Sequence, residues 1–572
     1  MIRDKKNIDI LILSIALVAS GILNISLAIE PKKKFYICAE CKEGLVIGVS
    51  SGPIDLDPVR SDHRDSNNVI EQVCEGLYQH NLSDADLGII PMLAADYGVW
   101  DISGTEFTVP LRRNVFFHDG TPFNAEAVKW NFERINYFLN ASGTLSPTIG
   151  ISPIHTLYEF SNGTTILDPI TPVTIHNDYR VTINLRASYA ILESLLCYIT
   201  SYMLSPASTP KESYIDTASG DLVGTGPFVY DRYIAETEVK FHRWERYWRT
   251  GAFFEEFSFS IIEDTTTRNN AMLNHTIDYL SGPISSLFPT FDADPSITHH
   301  TGLGQLNYYY LGMNNNRINQ TWRQAISYAI NYTHIIDELQ DGTVFRSNGP
   351  LAPDFPGYNA SIQAATYDLA HARTIVQSMG FASGLVADAA TTGANADAWR
   401  ALALESMNYS YNIGNEFRED LGVLLDDNLD QIGINVIDKG CSWSDFITPS
   451  CFIMGPRFYD SLELFWVGWG PDYLSPYNMI TPLFSNRSAS NIVRYHSQAV
   501  EMWLDDVLSE TNATKREELY SKILHQIVEI DMPHAFGYHP YIHSVHSADI
   551  RGVSYNAMGK FYAYPMYRDS NS

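Results

Sequence analysis

The sequence predicts an α/β or α+β protein of two or more domains, and three observations predict it. Short apolar runs of strand character, at residues 45–50, 308–312 and 462–467, alternate along the chain with apolar residues at helical spacing. The chain has 572 residues, where one domain typically takes about 100 to 200. No motif returns at a period of about 20 to 50 residues, which excludes solenoids and propellers.

The elements follow in order. After a linker near residues 30–43, residues 45–50 read as a buried strand, broken by Gly52-Pro53 and Asp57-Pro58. Val69, Ile70, Val73, Leu77 and Tyr78 then recur at helical spacing. Residues 106–111 and 115–117 read as paired strands that end in the turn His118-Asp119-Gly120. Asn124 caps a helix with Glu126 in its first turn and Val128, Phe132 and Ile135 on its apolar face. Trp322, Ile326, Ala329 and Ile330 mark another helix, as do Phe417, Leu421, Leu424 and Leu425. Leu519, Tyr520, Ile523, Leu524, Ile527 and Val528 give the cleanest stripe. The Ala/Gly-rich stretch 382–403 reads as a surface insertion.

Composition narrows the function. The 66 acidic and 38 basic residues give a net charge of −28, which repels phosphate, and no basic cluster lies beyond the first 34 residues. Nucleic-acid binding is excluded on that ground. Aromatics at 12% exclude a disordered acidic chain. Residues 10–29 carry no charge and follow Arg3, Lys5 and Lys6, the pattern of a secretory signal or an N-terminal membrane anchor. Ser26-Leu27-Ala28 offers a small-x-small cleavage site, yet about 20 apolar residues also suffice to span a bilayer. No second apolar run of that length follows, so the remainder is expected outside the cytoplasmic membrane. The N-x-S/T sequons between Asn81 and Asn512 agree with export. Cys441 and Cys451 are a candidate disulfide, and Cys38-x-x-Cys41 lacks the second pair that a zinc ribbon needs.

Catalytic and metal motifs are incomplete. Gly48-Val49-Ser50-Ser51-Gly52 matches G-x-S-x-G, but the prolines after it prevent the immediate helix of a nucleophile elbow. Gly224-Thr225-Gly226-Pro227 completes no phosphate loop and reads as a tight turn. His534, His539, His543 and His546 lack a nearby carboxylate of ligand type. No catalytic residue, metal site or cofactor is expected. The segment from Phe465 through Trp466, Gly468, Trp469 and Gly470 to Asp472 and Tyr473 has two readings. It is an aromatic core strand ending in a turn, or a ligand pocket with a flat apolar wall, glycines that admit close approach and a carboxylate for a cation.

Residues 107–128, from Phe107-Thr108-Val109 through His118-Asp119-Gly120-Thr121-Pro122-Phe123 to Ala127-Val128, resemble the signature of the family 5 extracellular solute-binding proteins of ABC importers, the oligopeptide and dipeptide binders. Leu56-Asp57-Pro58, Glu75-Gly76-Leu77, Gly224 to Phe228, Tyr247-Trp248, Trp322 to Ile330 and Gly468 to Asp472 extend the likeness over residues 45–565. Ala127 departs from it where the family usually has Asp or Glu.

The resemblance implies a two-lobed α/β periplasmic-binding-protein fold of type II, in the large form with an extra subdomain at residues 70–205. Lobe 1 would hold residues 44–304 and 536–572, lobe 2 residues 305–535, with hinges near 308–312 and 533–538. It further implies an interlobe ligand, an oligopeptide or similar small solute, delivered by a monomer to ABC permease subunits. Asp472 would hold a peptide's α-ammonium, with Gly468, Trp469 and Gly470 around it and Ser51 and Gly52 facing them. Arg457 is a candidate carboxylate clamp or a structural ion pair, and Tyr308, Tyr309 and Tyr310 are sugar stackers or core. Oligosaccharides, nickel complexes and other solutes remain open as ligands, and a secreted hydrolase is the alternative of another class.

Overall fold

A computed structural model describes residues 44–569 apart from 62, 85, 142–152, 161–162, 219–220, 443–461 and 489. Its centre is a mixed sheet of twelve strands among the described residues. Gly44–Val49, the strand expected at 45–50, pairs in parallel with Glu256–Ile261 on one side and Tyr279–Ser281 on the other. Tyr279–Ser281 is joined antiparallel to His534–Ser547. That 14-residue strand serves two neighbourhoods. Its C-terminal part pairs with Tyr279–Ser281 and Ile297–Gly304, and its N-terminal part pairs with Tyr308–Met313. Beyond Tyr308–Met313 the sheet continues through Leu464–Trp469 and Glu405–Asn412 to Ile434–Cys441. Two α/β halves therefore share one strand.

Helix starts follow side-chain capping. The Asn124, Asn319, Asn415 and Asn512 side chains accept from backbone N–H groups in the first turns of Ala125–Phe138, Gln320–Ala329, Glu416–Asp430 and Ala513–His525. The first helix differs from expectation. It spans Arg64–Val73, Cys74 is already extended, and Leu77 and Tyr78 are buried without being helical. Tertiary packing overrides the helical spacing there, since the backbone at Gly76 runs so close to another segment that a Cβ would lie 2.7 Å from the Leu196 carbonyl oxygen. Residues 115–117 form no strand either. Phe117 N–H donates to the Thr121 carbonyl at 2.8 Å and Phe123 N–H to that of Val115 at 3.0 Å, closing a tight turn with one bridge, Phe116 to Pro122.

A separate four-stranded sheet, Val99–Trp100, Glu106–Pro110, Arg180–Asn184 and Val173–Asn177, builds a smaller layer inside the region 70–205. Buried Arg134, on the helix Ala125–Phe138, ties that helix to the first loop with a fork on Asp57, Nη1 to Oδ1 at 2.9 Å and Nη2 to Oδ2 at 2.5 Å. The stretch 382–403 is more than a surface insertion. It contains the helix Ala394–Arg400, whose Trp399 is fully buried, and buried Arg373 holds Asp388 Oδ1 at 2.8 Å.

One apolar core gathers Ile47, Val69, Phe107 and Phe132 with Tyr477, Leu504 and Ile523, so the segment after Asp472 packs onto the first half of the chain. A second core, around Leu311, Ile326, Leu421 and Trp466, fills the other half. Among the described residues no helix is long and apolar enough to cross a membrane.

Candidate functional site

A cavity of about 600 Å³ lies where the two halves meet. Gly48 to Ser50 and the first turn of Arg64–Val73 wall one side, and Tyr309, Phe417, Arg418, Trp466 and Tyr538 wall the other. Strand alternation explains which tyrosines reach it. Tyr308 and Tyr310 are buried, Tyr310 stacked on His534 at 3.8 Å, whereas half-buried Tyr309 turns to the opposite face and stacks on Tyr538 at 5.0 Å. Trp466 meets Phe417 edge-on at 5.7 Å.

The charged wall is uneven. Asp65 accepts from the Ser51 hydroxyl, and His63 Nδ1 lies 3.9 Å away. Arg64 donates to the Gly559 carbonyl at 2.5 Å, and Arg268 to those of Ile262 at 2.6 Å and Glu263 at 3.1 Å. Arg418 donates to Asn412 Oδ1. Burial draws the Arg418 and Arg268 pKa values below the ordinary arginine range, yet a guanidinium remains charged at any physiological pH.

Of the residues singled out from sequence, Ser50, Tyr309, Trp466 and His543 line this cavity, whereas Ser51, Gly52, Gly468, Trp469, Gly470 and Asp472 fall around it. Gly468 lies opposite Tyr309 on the neighbouring strand, and a Cβ there would sit 2.6 Å from the Tyr309 ring. A Cβ on Gly470 would strike Asn307 Oδ1. These glycines admit Tyr309 and Asn307, which themselves line the cavity. Trp469 points to the other face, its Nε1 donating to the Asn478 carbonyl at 3.1 Å. Ser51 and Gly52 line a minor pocket with Asp65, Asn68 and Val49. Arg457 and Cys451 lie outside the described residues.

Asp472 is partly buried. Its N–H donates to Asn478 Oδ1 at 2.7 Å, and its Oδ2 accepts from Asn478 Nδ2 at 3.2 Å. Burial pushes its pKa up to about 6, against the lowering effect of Asn478, Lys560 and Tyr198. Lys560 pairs with Glu71 at 2.5 Å, and both line a second, smaller cavity that shares Phe561 with the first. The loop after Asp472 is fastened to the first half: Leu474 N–H donates to His80 Nε2 at 3.1 Å, while His80 Nδ1 is 2.9 Å from the Leu87 carbonyl. The carbonyl requires Nδ1–H, so Nε2 is the acceptor.

The remaining motifs are structural. Ser50 lines the main cavity, but no helix starts before Arg64, so there is no strand-turn-helix elbow among the described residues. Of the four clustered histidines only His543 lines that cavity. Burial pushes His539 down to about 4 and His534 well below its ordinary value. Among the described residues no group of three His, Cys, Asp or Glu side chains is placed to hold a metal ion.

Arg64, Asp65 and Arg418 were missed because each is unremarkable in composition. The signal was positional. Arg64 and Arg418 occupy first turns of helices, Arg64–Val73 and Glu416–Asp430, where the helix dipole disfavours a cation.

Residues 88–491 match the family described as bacterial extracellular solute-binding proteins, family 5. The chain is 25% identical over 507 residues to heme-binding protein A of Haemophilus influenzae, covering 82% of this chain and 83% of the relative. It is 24% identical over 491 residues to the glutathione-binding protein GsiB of Pectobacterium atrosepticum, covering 83% and 84%. In structure it is similar to the periplasmic binding protein DppA of Helicobacter pylori in complex with the peptide STSA, with a TM-score of 0.76 and 21% identity over 92% of this chain and 98% of that one. It is equally similar to a dipeptide-binding protein of Pseudoalteromonas in complex with Met-Leu, TM-score 0.76 and 20% identity, covering 92% and 100%. The two-lobed binding-protein fold expected from the signature is the fold observed, and the chain belongs to the family 5 bacterial extracellular solute-binding proteins.

Proposed function

We propose that this solute-binding protein captures short peptides between its lobes and presents them, as a monomer, to ABC permease subunits. The observation that carries the reading is the cavity walled by both halves of the chain, with aromatic rings beside charged groups of both signs. The peptide complexes of the two similar structures support the ligand class. In this reading lobe 1 comprises residues 44–304 and 536–572 together with the segment after Asp472 that packs onto them, and lobe 2 the rest of residues 305–535, hinged where Tyr308–Met313 and His534–Ser547 cross between them. A few residues at element ends can absorb such a hinge motion, and only a solute that touches both lobes favours closure. Residues 1–29 direct the chain out of the cytoplasm as a cleaved signal or a retained anchor. The protein performs no turnover.

The peptide's α-ammonium pairs with Asp472, and the rest of the ligand passes Phe561 into the main cavity. A desolvated ammonium needs an anionic partner, because an unpaired buried charge is costly. Calorimetry with one peptide and its N-acetylated form tests this. The native protein should bind the free amine and reject the acetylated form, and Asp472→Asn should bind both weakly, a loss of about two to three orders of magnitude for the free amine. Equal binding of both forms by the native protein, or displacement by a neutral oligosaccharide, would sink the peptide reading.

A further inference from the structure

Among the described residues that wall the main cavity, three carry a guanidinium, Arg64, Arg268 and Arg418, and one carries a carboxylate, Asp65. The whole chain has a net charge of −28, so a cationic wall runs against its composition. Arg64 and Arg268 are held by backbone carbonyls, which satisfy N–H donors while leaving the charge in place. Asp65 is engaged by the Ser51 hydroxyl. All three arginines stand within the first four residues of their helices, Arg64–Val73, Thr265–Leu273 and Glu416–Asp430. Acidic neighbours satisfy the helix dipole at each start, Asp65, Asp264, Glu416 and Glu419, but of these only Asp65 lines the cavity, so the wall itself keeps an excess of cationic groups.

We propose that the cavity selects solutes bringing two or more carboxylates, such as a short peptide with an acidic residue beside its C-terminus, and that Arg64 and Arg418 read them from opposite walls. The inference rests on the reading that this cavity holds the transported solute. Guanidinium forks match carboxylates with two parallel hydrogen bonds, and in a partly desolvated cleft such charge-assisted contacts are stronger than in water. Arg268, fixed by its carbonyls, contributes field and no direct contact.

Calorimetry on the full chain with trialanine, Ala-Asp-Glu, Ala-Lys-Lys and citrate tests it. The native protein should prefer Ala-Asp-Glu to trialanine by about 10- to 100-fold and bind Ala-Lys-Lys weakest. Arg418→Gln and Arg64→Gln should each weaken Ala-Asp-Glu by about tenfold, trialanine should weaken comparably only in the variant whose arginine reads the C-terminal carboxylate, so the acidic preference falls in the other, and Arg418→Lys should restore part of the loss. Arg64 is exposed, so its variant decides the matter if loss of Arg418 impairs folding. Equal affinity for the three peptides, or an acidic preference unaltered in both glutamine variants, overturns the inference and leaves the peptide reading standing. Citrate bound above every peptide, and lost in the glutamine variants, overturns the peptide reading and upholds the charge selection.

Discussion

Asp472 joins local chemistry to a pH response. Its pKa near 6 arises from burial, and a protonated carboxyl has no charge to offer an ammonium. Ligand charge would favour the ionised form and draw the pKa down, so binding near pH 6 should release a proton. Affinity for a free-amine peptide should be flat above about pH 7 and fall by up to tenfold per pH unit below about pH 6. Titrations in buffers of different ionisation enthalpy would reveal the released proton, and Asp472→Asn should abolish both effects. A pH profile unchanged in that variant would assign the dependence to another group. At this scale the sequence exposed Asp472 and its glycine-flanked tryptophan. It could not tell that Gly468 and Gly470 make room for Tyr309 and Asn307, because that depends on which strand lies alongside.

At the scale of elements, the scattered signature motifs meet at single side chains. The buried Glu75 carboxylate accepts from Thr225 Oγ1 at 2.8 Å, Tyr247 OH at 2.7 Å and Trp248 Nε1 at 2.9 Å, joining three motif segments. Gly224 and Gly226 belong to the same junction, since a Cβ at Gly226 would sit 2.8 Å from the Gln72 carbonyl. His118 Nε2 lies 2.9 Å from the Gly226 carbonyl, which brings in the 107–128 signature. That signature is therefore structural, and none of its residues lines the main cavity. The Asp57–Arg134 fork works in the same way between the first loop and the helix Ala125–Phe138. Asp57 also accepts from Ile215 N–H at 2.8 Å. Asp57→Asn should destabilise the protein by about 3 to 5 kcal/mol, because it strands a buried guanidinium, read as a lower urea midpoint. A change below about 1 kcal/mol, the range of exposed ion pairs, would contradict that role.

The whole molecule should lose stability in acid. Burial holds His80, His118 and His539 at about 4, below the ordinary 6.5. Between those values the unfolded chain binds more protons than the folded one, so stability falls as pH drops from about 6.5 to about 4. Each histidine can account for roughly 3 kcal/mol at most. Asp472 and other carboxyls that burial raises, Glu75 and Glu159 among them, act in the opposite sense, since each keeps a proton on the folded form, while His534, also held well below its ordinary value, adds to the three histidines. Urea midpoints measured at pH 7, 6 and 5 should decline in that order, and a rising series would show that the raised carboxyls dominate. His80 links this response to the lobes, because its protonation would set an N–H against the Leu474 N–H.

The sequence by itself determined the fold class, the family and most elements. Asn124 and the stripe Leu519 to Leu524 are local signals, and local spacing and capping suffice to place a helix. The strand at Gly44–Val49 was legible for the same reason. Only the tertiary structure decided the cavity. Its wall takes Arg64, Tyr309, Arg418, Trp466 and His543 from segments hundreds of residues apart, and His534–Ser547 brings them together by pairing with both halves of the sheet. Which face a strand residue presents, and whether a helix's first turn points at a cleft or at solvent, depends on register and packing between distant segments, and no local pattern encodes those.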